Sequence, residues 1–171
     1  MSPQAIFSVQ FVASLLAWGV IFTVFLAPWL AGRSRREALM WLLLPHTFRH
    51  IGLVFLVPGV VAQPLPEAFG PAAAYGDLGT ALLALLSVVA LQRRWRLAEA
   101  AVWGFSIVGV FDLANALRQP EPIPMFGSAW YIPTFLVPLL LVTHGLIVHR
   151  LVGARAGSSA ARGGWAQAKA S

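Results

Sequence analysis

Long apolar stretches, separated by short charged or proline-rich segments, run through almost the whole chain. Since a helix needs about 20 mostly apolar residues to cross a bilayer, each stretch predicts one transmembrane helix. The pattern predicts an all-α fold of five transmembrane helices, at about residues 6–30, 39–62, 71–92, 97–117 and 129–151. Together they form one transmembrane domain, residues 1–152. A basic tail rich in Gly, Ala and Ser, residues 153–171, is predicted to be disordered.

The composition agrees with a membrane protein. Of the 171 residues, 58% are hydrophobic and 11% are charged, whereas soluble domains are about 25% charged. The lack of cysteine excludes a disulfide scaffold, a thiolate metal site and a cysteine nucleophile. The single lysine, Lys169, lies in the tail, which excludes a retinal Schiff base between the helices.

The basic residues predict the orientation of the helices. Ten of the twelve Lys and Arg residues follow predicted helices 1, 3 and 5, and basic residues remain on the cytoplasmic side of a membrane. The N-terminus is therefore predicted to lie outside and the C-terminus in the cytoplasm. The net charge of +6 then reflects topology, so we expect the lipid bilayer, and no nucleic acid, as the partner.

Predicted helix 2 carries three ionisable residues where lipid would surround an isolated helix. His46, Arg49 and His50 are spaced i, i+3 and i+4, which places all three on one stripe of an α-helix. A charged side chain at the bilayer centre costs about 2.5–3.5 kcal/mol. We therefore predict that this stripe faces the interior of the helical bundle.

Helices 3, 4 and 5 carry further polar residues. Asp112 and Asn115 of helix 4 are predicted to face the same interior, where Asp112 would pair with Arg49 either directly or through water. Asp77, at the same depth in helix 3, is interpreted as a helix cap. His144 of helix 5 has the same predicted depth as His46, because each lies seven residues from the cytoplasmic end of its helix.

The first functional hypothesis is that this interior binds a cofactor or a small ligand. His46 and His144 would be the axial ligands of a b-type haem, and Arg49 would pair with a propionate or with an anionic solute. A metal ion held by His46, His50 and His144 is a related alternative, although Arg49 would repel the ion. Which ligand is bound stays open at this stage.

Two further classes of function compete with ligand binding. In a proton-coupled carrier, His50, Asp112 and Asn115 would line a ligand or proton pathway, and a homo-oligomer would be expected because five helices are few for a carrier. In a non-catalytic accessory or scaffold subunit, the same polar residues would hold helices together. An enzyme is disfavoured, since Ser106 and its neighbours match the Gly-x-Ser-Gly pattern of intramembrane serine proteases poorly.

Four short segments carry a resemblance to a known group of proteins. They are Leu44-Pro45-His46, Ala74-Tyr75-Gly76-Asp77, Ile132-Pro133-Thr134 and Val142-Thr143-His144. Through them the chain resembles small, uncharacterised bacterial integral membrane proteins over roughly residues 42–151. The resemblance implies a multi-pass protein of the bacterial inner (plasma) membrane, and it transfers no activity because that group has none assigned.

Overall fold

The computed structural model describes residues 1–66 and 69–168, with side chains described as far as residue 153. This part of the chain is helical and contains no β-strand. Five helices are long and apolar enough to cross a membrane: α1 (Pro3–Ala31), α2 (Arg35–Leu56), α3 (Gly70–Gln92), α4 (Ala98–Leu117) and α5 (Gly127–Gly153). The predicted all-α class and the predicted number of long apolar helices are confirmed.

The predicted tail, residues 153–171, stays a prediction. The backbone of α5 continues as a helix to Ala168. Side chains from residue 154 onward, and residues 169–171 altogether, lie outside the described part of the chain.

Helix α2 differs in its bounds and its geometry from the predicted helix at residues 39–62. It begins at Arg35, because Ser34 and Glu37 form a capping box in which each side chain accepts a hydrogen bond from the other residue's backbone N–H. It then changes from an α-helix to a 3-10 helix at Arg49 and ends at Leu56. Val57 is extended, as is favoured before a proline.

The two ends of the bundle have different chemistry. We call one the basic end; its arginines include Arg33, Arg35, Arg36, Arg93, Arg94 and Arg96. Here the guanidinium of Arg35 makes two 3.0 Å hydrogen bonds to the carboxylate of Glu99, and its Nε donates to the carbonyl oxygen of Arg150. These contacts join the ends of α2, α4 and α5.

The opposite end, which we call the proline end, is closed by two proline-containing loops. Backbone hydrogen bonds connect the α2–α3 loop to the other loop and to the start of α5: Ala62 N–H donates to Met125 O over 2.8 Å, and Ser128 N–H of α5 donates to Val60 O over 3.0 Å. These contacts fix the two loops above the interior of the bundle.

Two apolar clusters fill the interior, and a polar layer lies between them. The cluster at the basic end is built around Leu39, Leu42, Leu43, Val102, Ile147 and Leu151. The cluster at the proline end is built around Phe55, Phe69, Phe126 and Ile123. Helix α1 adds Phe22 and Leu30 to the cluster at the basic end, whereas its segment Pro3–Ile21 contributes no buried residue. The polar layer between the clusters is the candidate site.

Candidate functional site

Arg49 is the centre of the polar layer. It is the first residue of the 3-10 part of α2, and only 1% of its surface is exposed. Its Nε donates to Asp77 Oδ1 over 2.7 Å, its Nη2 donates to Asp112 Oδ2, and its Nη1 donates to the carbonyl oxygen of Gly109 over 3.3 Å. The predicted ion pair between Arg49 and Asp112 is confirmed.

Asp77 is the member of this group that sequence reasoning missed. It is the eighth residue of α3, which begins at Gly70, so its interpretation as a helix cap is wrong. Depth was the signal that could have found it. Arg49, Asp77 and Asp112 each lie 14 or 15 residues from the basic end of their helix, which is about 21–23 Å at 1.5 Å per residue. We call these three residues the carboxylate–arginine cluster.

Two glycines allow the carboxylates to reach Arg49. A Cβ added to Gly52 of α2 would lie 2.7 Å from the Cβ of Asp77, a separation that real Cβ atoms do not tolerate. Gly76 of α3 faces the carboxyl group of Asp112 in the same way. Each acidic side chain therefore occupies space left by a glycine on the neighbouring helix, which brings α2, α3 and α4 close together.

A pair of histidines lies next to the cluster on its basic-end side. His46 and His144 are 0% and 3% exposed, and their ring centroids are 4.2 Å apart. Phe105 packs against both rings at 4.9 Å. Nε2 of His46 lies 2.8 Å from Thr143 Oγ1, whereas Nδ1 of His46 and both nitrogens of His144 have no hydrogen-bond partner among the described residues.

The geometry of this pair does not fit the haem hypothesis. Two imidazoles on opposite faces of a haem need about 6 Å between their ring centroids, because each metal–nitrogen bond is about 2 Å and each ring adds about 1 Å. His46 and His144 are in direct contact instead. Within the described residues, no group of three or more His, Cys, Asp or Glu side chains could hold a metal ion.

His50 and Asn115 are not part of the polar layer. Both are exposed, so the prediction that they face the interior is wrong. His50 follows Arg49 directly in a 3-10 helix, and its Nδ1 lies 3.0 Å from the carbonyl oxygen of Thr47 in its own helix. Asn115 lies on α4 beyond Asp112, which itself is at the edge of the buried face of that helix.

A cavity of about 90 Å³ lies between the cluster and the proline end. Asp77 and Asp112 line it at the end next to Arg49, and their side chains each keep 14% exposure, whereas the Arg49 side chain has none. The remaining lining is almost entirely apolar and includes four aromatic rings, those of Phe7, Phe55, Phe69 and Phe126.

The charges of the cluster decide what this cavity can accept. Two carboxylates and one guanidinium carry a net charge of −1 when all three are ionised, and the carboxylates stand between the guanidinium and the cavity. A cation entering the cavity meets negative charge and the faces of aromatic rings, both of which attract it. An anionic solute would meet the two carboxylates first, so the geometry does not support the anion hypothesis.

The chain matches the model of a known protein family. The model of a domain of unknown function (DUF8737) matches residues 6–152, which include α2, α3, α4, nearly all of α1 and α5, and every residue of the polar layer. No curated protein and no solved structure matches the chain. The match agrees with the resemblance to an uncharacterised family.

Proposed function

We propose that this chain, which belongs to the family of the domain of unknown function DUF8737, is a multi-pass membrane protein that binds a small organic cation between its helices. The observation that carries the proposal is the pair of carboxylates, Asp77 and Asp112, at the inner end of an otherwise apolar cavity. Their one cationic partner, Arg49, is shielded from that cavity.

The distribution of apolar side chains supports insertion into a membrane. Leu16, Leu82 and Phe111, on three different helices, are 66%, 58% and 75% exposed. Exposed apolar surface of this extent is unfavourable in water and favourable in lipid. With the basic end in the cytoplasm of a bacterial cell, as basic residues favour, the cavity would lie in the outer half of the inner membrane.

The size and lining of the cavity define the class of ligand. A cavity of about 150 Å³ binds benzene, so the roughly 90 Å³ found here suits on the order of four non-hydrogen atoms. A carboxylate pair favours an ammonium group, and four phenylalanine rings favour both the charge and a short alkyl chain. A small alkylammonium ion fits the size of the cavity, its carboxylate pair and its aromatic lining.

Three probes of similar size and different charge test this proposal. n-Propylammonium, n-propanol and propionate would each be added to the detergent-solubilised protein, and the thermal unfolding midpoint would be measured at fixed pH and ionic strength. We expect n-propylammonium alone to raise the midpoint, because a ligand that binds only the folded state stabilises that state by RT ln(1 + [L]/Kd). Asp112→Asn should remove the effect. A larger effect of propionate, or equal effects of all three probes, would refute the proposal.

Binding is better supported than transport. Between the histidine pair and the basic end lies the apolar cluster of Leu39, Leu43 and Ile147, whose exposed fractions are 2% or less. In this conformation these buried apolar side chains separate the histidine pair from the basic end. A proton-coupled carrier would need a second conformation that opens this cluster, and a homo-oligomer would be expected for so small a carrier.

The second candidate function is a structural one, as a scaffold or accessory subunit. It is favoured by the way the carboxylate–arginine cluster joins three helices: Arg49 of α2 binds Asp77 of α3 and Asp112 of α4. If the cluster serves only this purpose, the three probes would have indistinguishable effects on the unfolding midpoint.

A further inference from the structure

A groove at the basic end has the chemistry of an anion site, and it is separate from the cavity described above. It has a volume of about 410 Å³ and lies between the start of α2 and the turn that joins α3 to α4. Its polar lining consists of four arginines and one glutamate, a formal net charge of +3: Arg35, Arg36, Arg94, Arg96 and Glu99.

The carboxylate of Glu99, which lines this groove, is already paired with an arginine. Glu99 binds the guanidinium of Arg35 through both carboxylate oxygens. Arg36 contacts the carbonyl oxygen of Leu91 over 3.4 Å, and no ion pair in the described part of the chain involves Arg94 or Arg96. Three guanidinium groups are therefore available to an anion.

The turn that presents these arginines has an unusual backbone. Arg94 has a φ of 55°, and it is the one non-glycine residue with positive φ in the described chain. Glycine is normally preferred after the end of a helix in this conformation, which costs other residues about 1–2 kcal/mol. An arginine at this position gives up stability and places a guanidinium at the groove.

The neighbouring side chains indicate which anion the groove meets. Trp95 is 50% exposed and Leu97 is 74% exposed, and tryptophan is typical of the level of lipid headgroups. Leu39 and Leu91 form the apolar part of the lining. We propose that this groove binds the phosphodiester headgroup of an anionic phospholipid. The proposal rests on the proposed membrane insertion and is independent of the cation cavity.

Lipid binding to the full-length protein tests this inference. The solubilised chain would be titrated with phosphatidylglycerol, with phosphatidylcholine and with water-soluble glycerophosphoglycerol, and bound lipid would be counted by native mass spectrometry. We expect phosphatidylglycerol to bind more tightly than either of the others. Removal of two groove charges in Arg94→Gly/Arg96→Gln should weaken its binding about thirtyfold, since each basic residue contributes about a factor of five near an anionic surface.

A second double variant provides the matched control. Arg33→Gln/Arg93→Gln removes the same charge from the same end but outside the groove lining, where Arg33 stacks on Trp29. It should bind phosphatidylglycerol as the unaltered protein does. In the absence of lipid, Arg94→Gly should unfold at the same or a higher temperature, because glycine suits a φ of 55°.

Four results would overturn the inference. Equal weakening in both double variants would mean that diffuse charge attracts the lipid. Equal affinity for phosphatidylcholine would mean that the groove does not distinguish an anionic lipid from a zwitterionic one. Equal affinity for glycerophosphoglycerol would mean that the site binds a soluble phosphodiester and does not require a lipid. If none of the three compounds binds, the groove is not an anion site.

Discussion

Gly76 of α3 lies directly against the carboxyl group of Asp112 on α4, so that a Cβ at position 76 would be 2.7 Å from Asp112 Cγ. This close approach allows a residue at the edge of the buried face of α4 to reach Arg49 on α2. The ion pair between Asp112 and Arg49 thus depends on the absence of a side chain at position 76 as well as on the two charged groups.

Gly76→Ala should therefore destabilise the protein. Inserting a methyl group into a closely packed contact costs about 1–3 kcal/mol, and here it would also displace Asp112 from Arg49. Gly79→Ala, three residues later in the same helix, is the matched control because nothing lies within 4 Å of its added Cβ. It should be neutral or stabilising, by up to about 1 kcal/mol. Reversible unfolding in detergent would measure both, and equal destabilisation would contradict the packing argument.

Replacing Arg49 by methionine should lower the free energy of unfolding strongly, by about 3–5 kcal/mol, because it leaves two carboxylates buried without their partner. Adding Asp77→Asn and Asp112→Asn to this variant should recover much of the loss, since the uncompensated charge is then removed. The comparison requires unfolding midpoints of the single and triple variants. If the triple variant is no more stable than Arg49→Met, the cluster acts mainly through its exact hydrogen-bond geometry and the scaffold role gains support.

Thr143→Val should destabilise the histidine pair. The hydroxyl of Thr143 lies 2.8 Å from Nε2 of buried His46, and leaving a buried polar group without a partner costs about 1–3 kcal/mol. Thr80→Val is the control, because Thr80 is equally buried but bonds only the Gly76 carbonyl oxygen of its own helix. Chemical unfolding of the two variants should show the larger loss for Thr143→Val. The opposite order would mean that the contact with His46 contributes little.

The proposed topology can be tested without first removing native thiols, because the chain has no cysteine. Gln119→Cys at the proline end should react with a membrane-impermeant maleimide added to intact cells. Arg93→Cys at the basic end should react only after the membrane is disrupted. Labelling in the reverse order would invert the proposed orientation, and labelling of neither in disrupted cells would argue against both positions being at the membrane surface.

The sequence allowed the helices and one ion pair to be predicted because both follow from composition and depth. Apolar length gives the number of helices. Residue counts along the predicted helices place Arg49 near the bilayer centre and Asp112 in the outer half of the bilayer, and opposite charges in lipid are expected to pair. Asp77 has the same predicted depth as Asp112. It also lay close to the predicted start of helix 3, so that it was interpreted as a helix cap.

The remaining features depend on geometry that spacing alone does not give. The change of α2 from an α-helix to a 3-10 helix at Arg49 turns His50 away from the interior. Equal depth of His46 and His144 fixes their height and leaves their lateral separation undetermined. That separation depends on side-chain packing between helices, and here it brings the rings into contact instead of leaving space for a haem.

The most direct test of the central claim is a distance measurement on the bound cation. Solid-state NMR would measure the dipolar coupling between the nitrogen of ¹⁵N-labelled n-propylammonium and the ¹³Cγ atoms of labelled aspartate in the membrane-reconstituted protein. Asp77 and Asp112 are the two aspartates of the chain, so this label reports on them alone. We predict a coupling typical of an ammonium–carboxylate contact. Bound n-propylammonium without such a coupling would contradict the proposal.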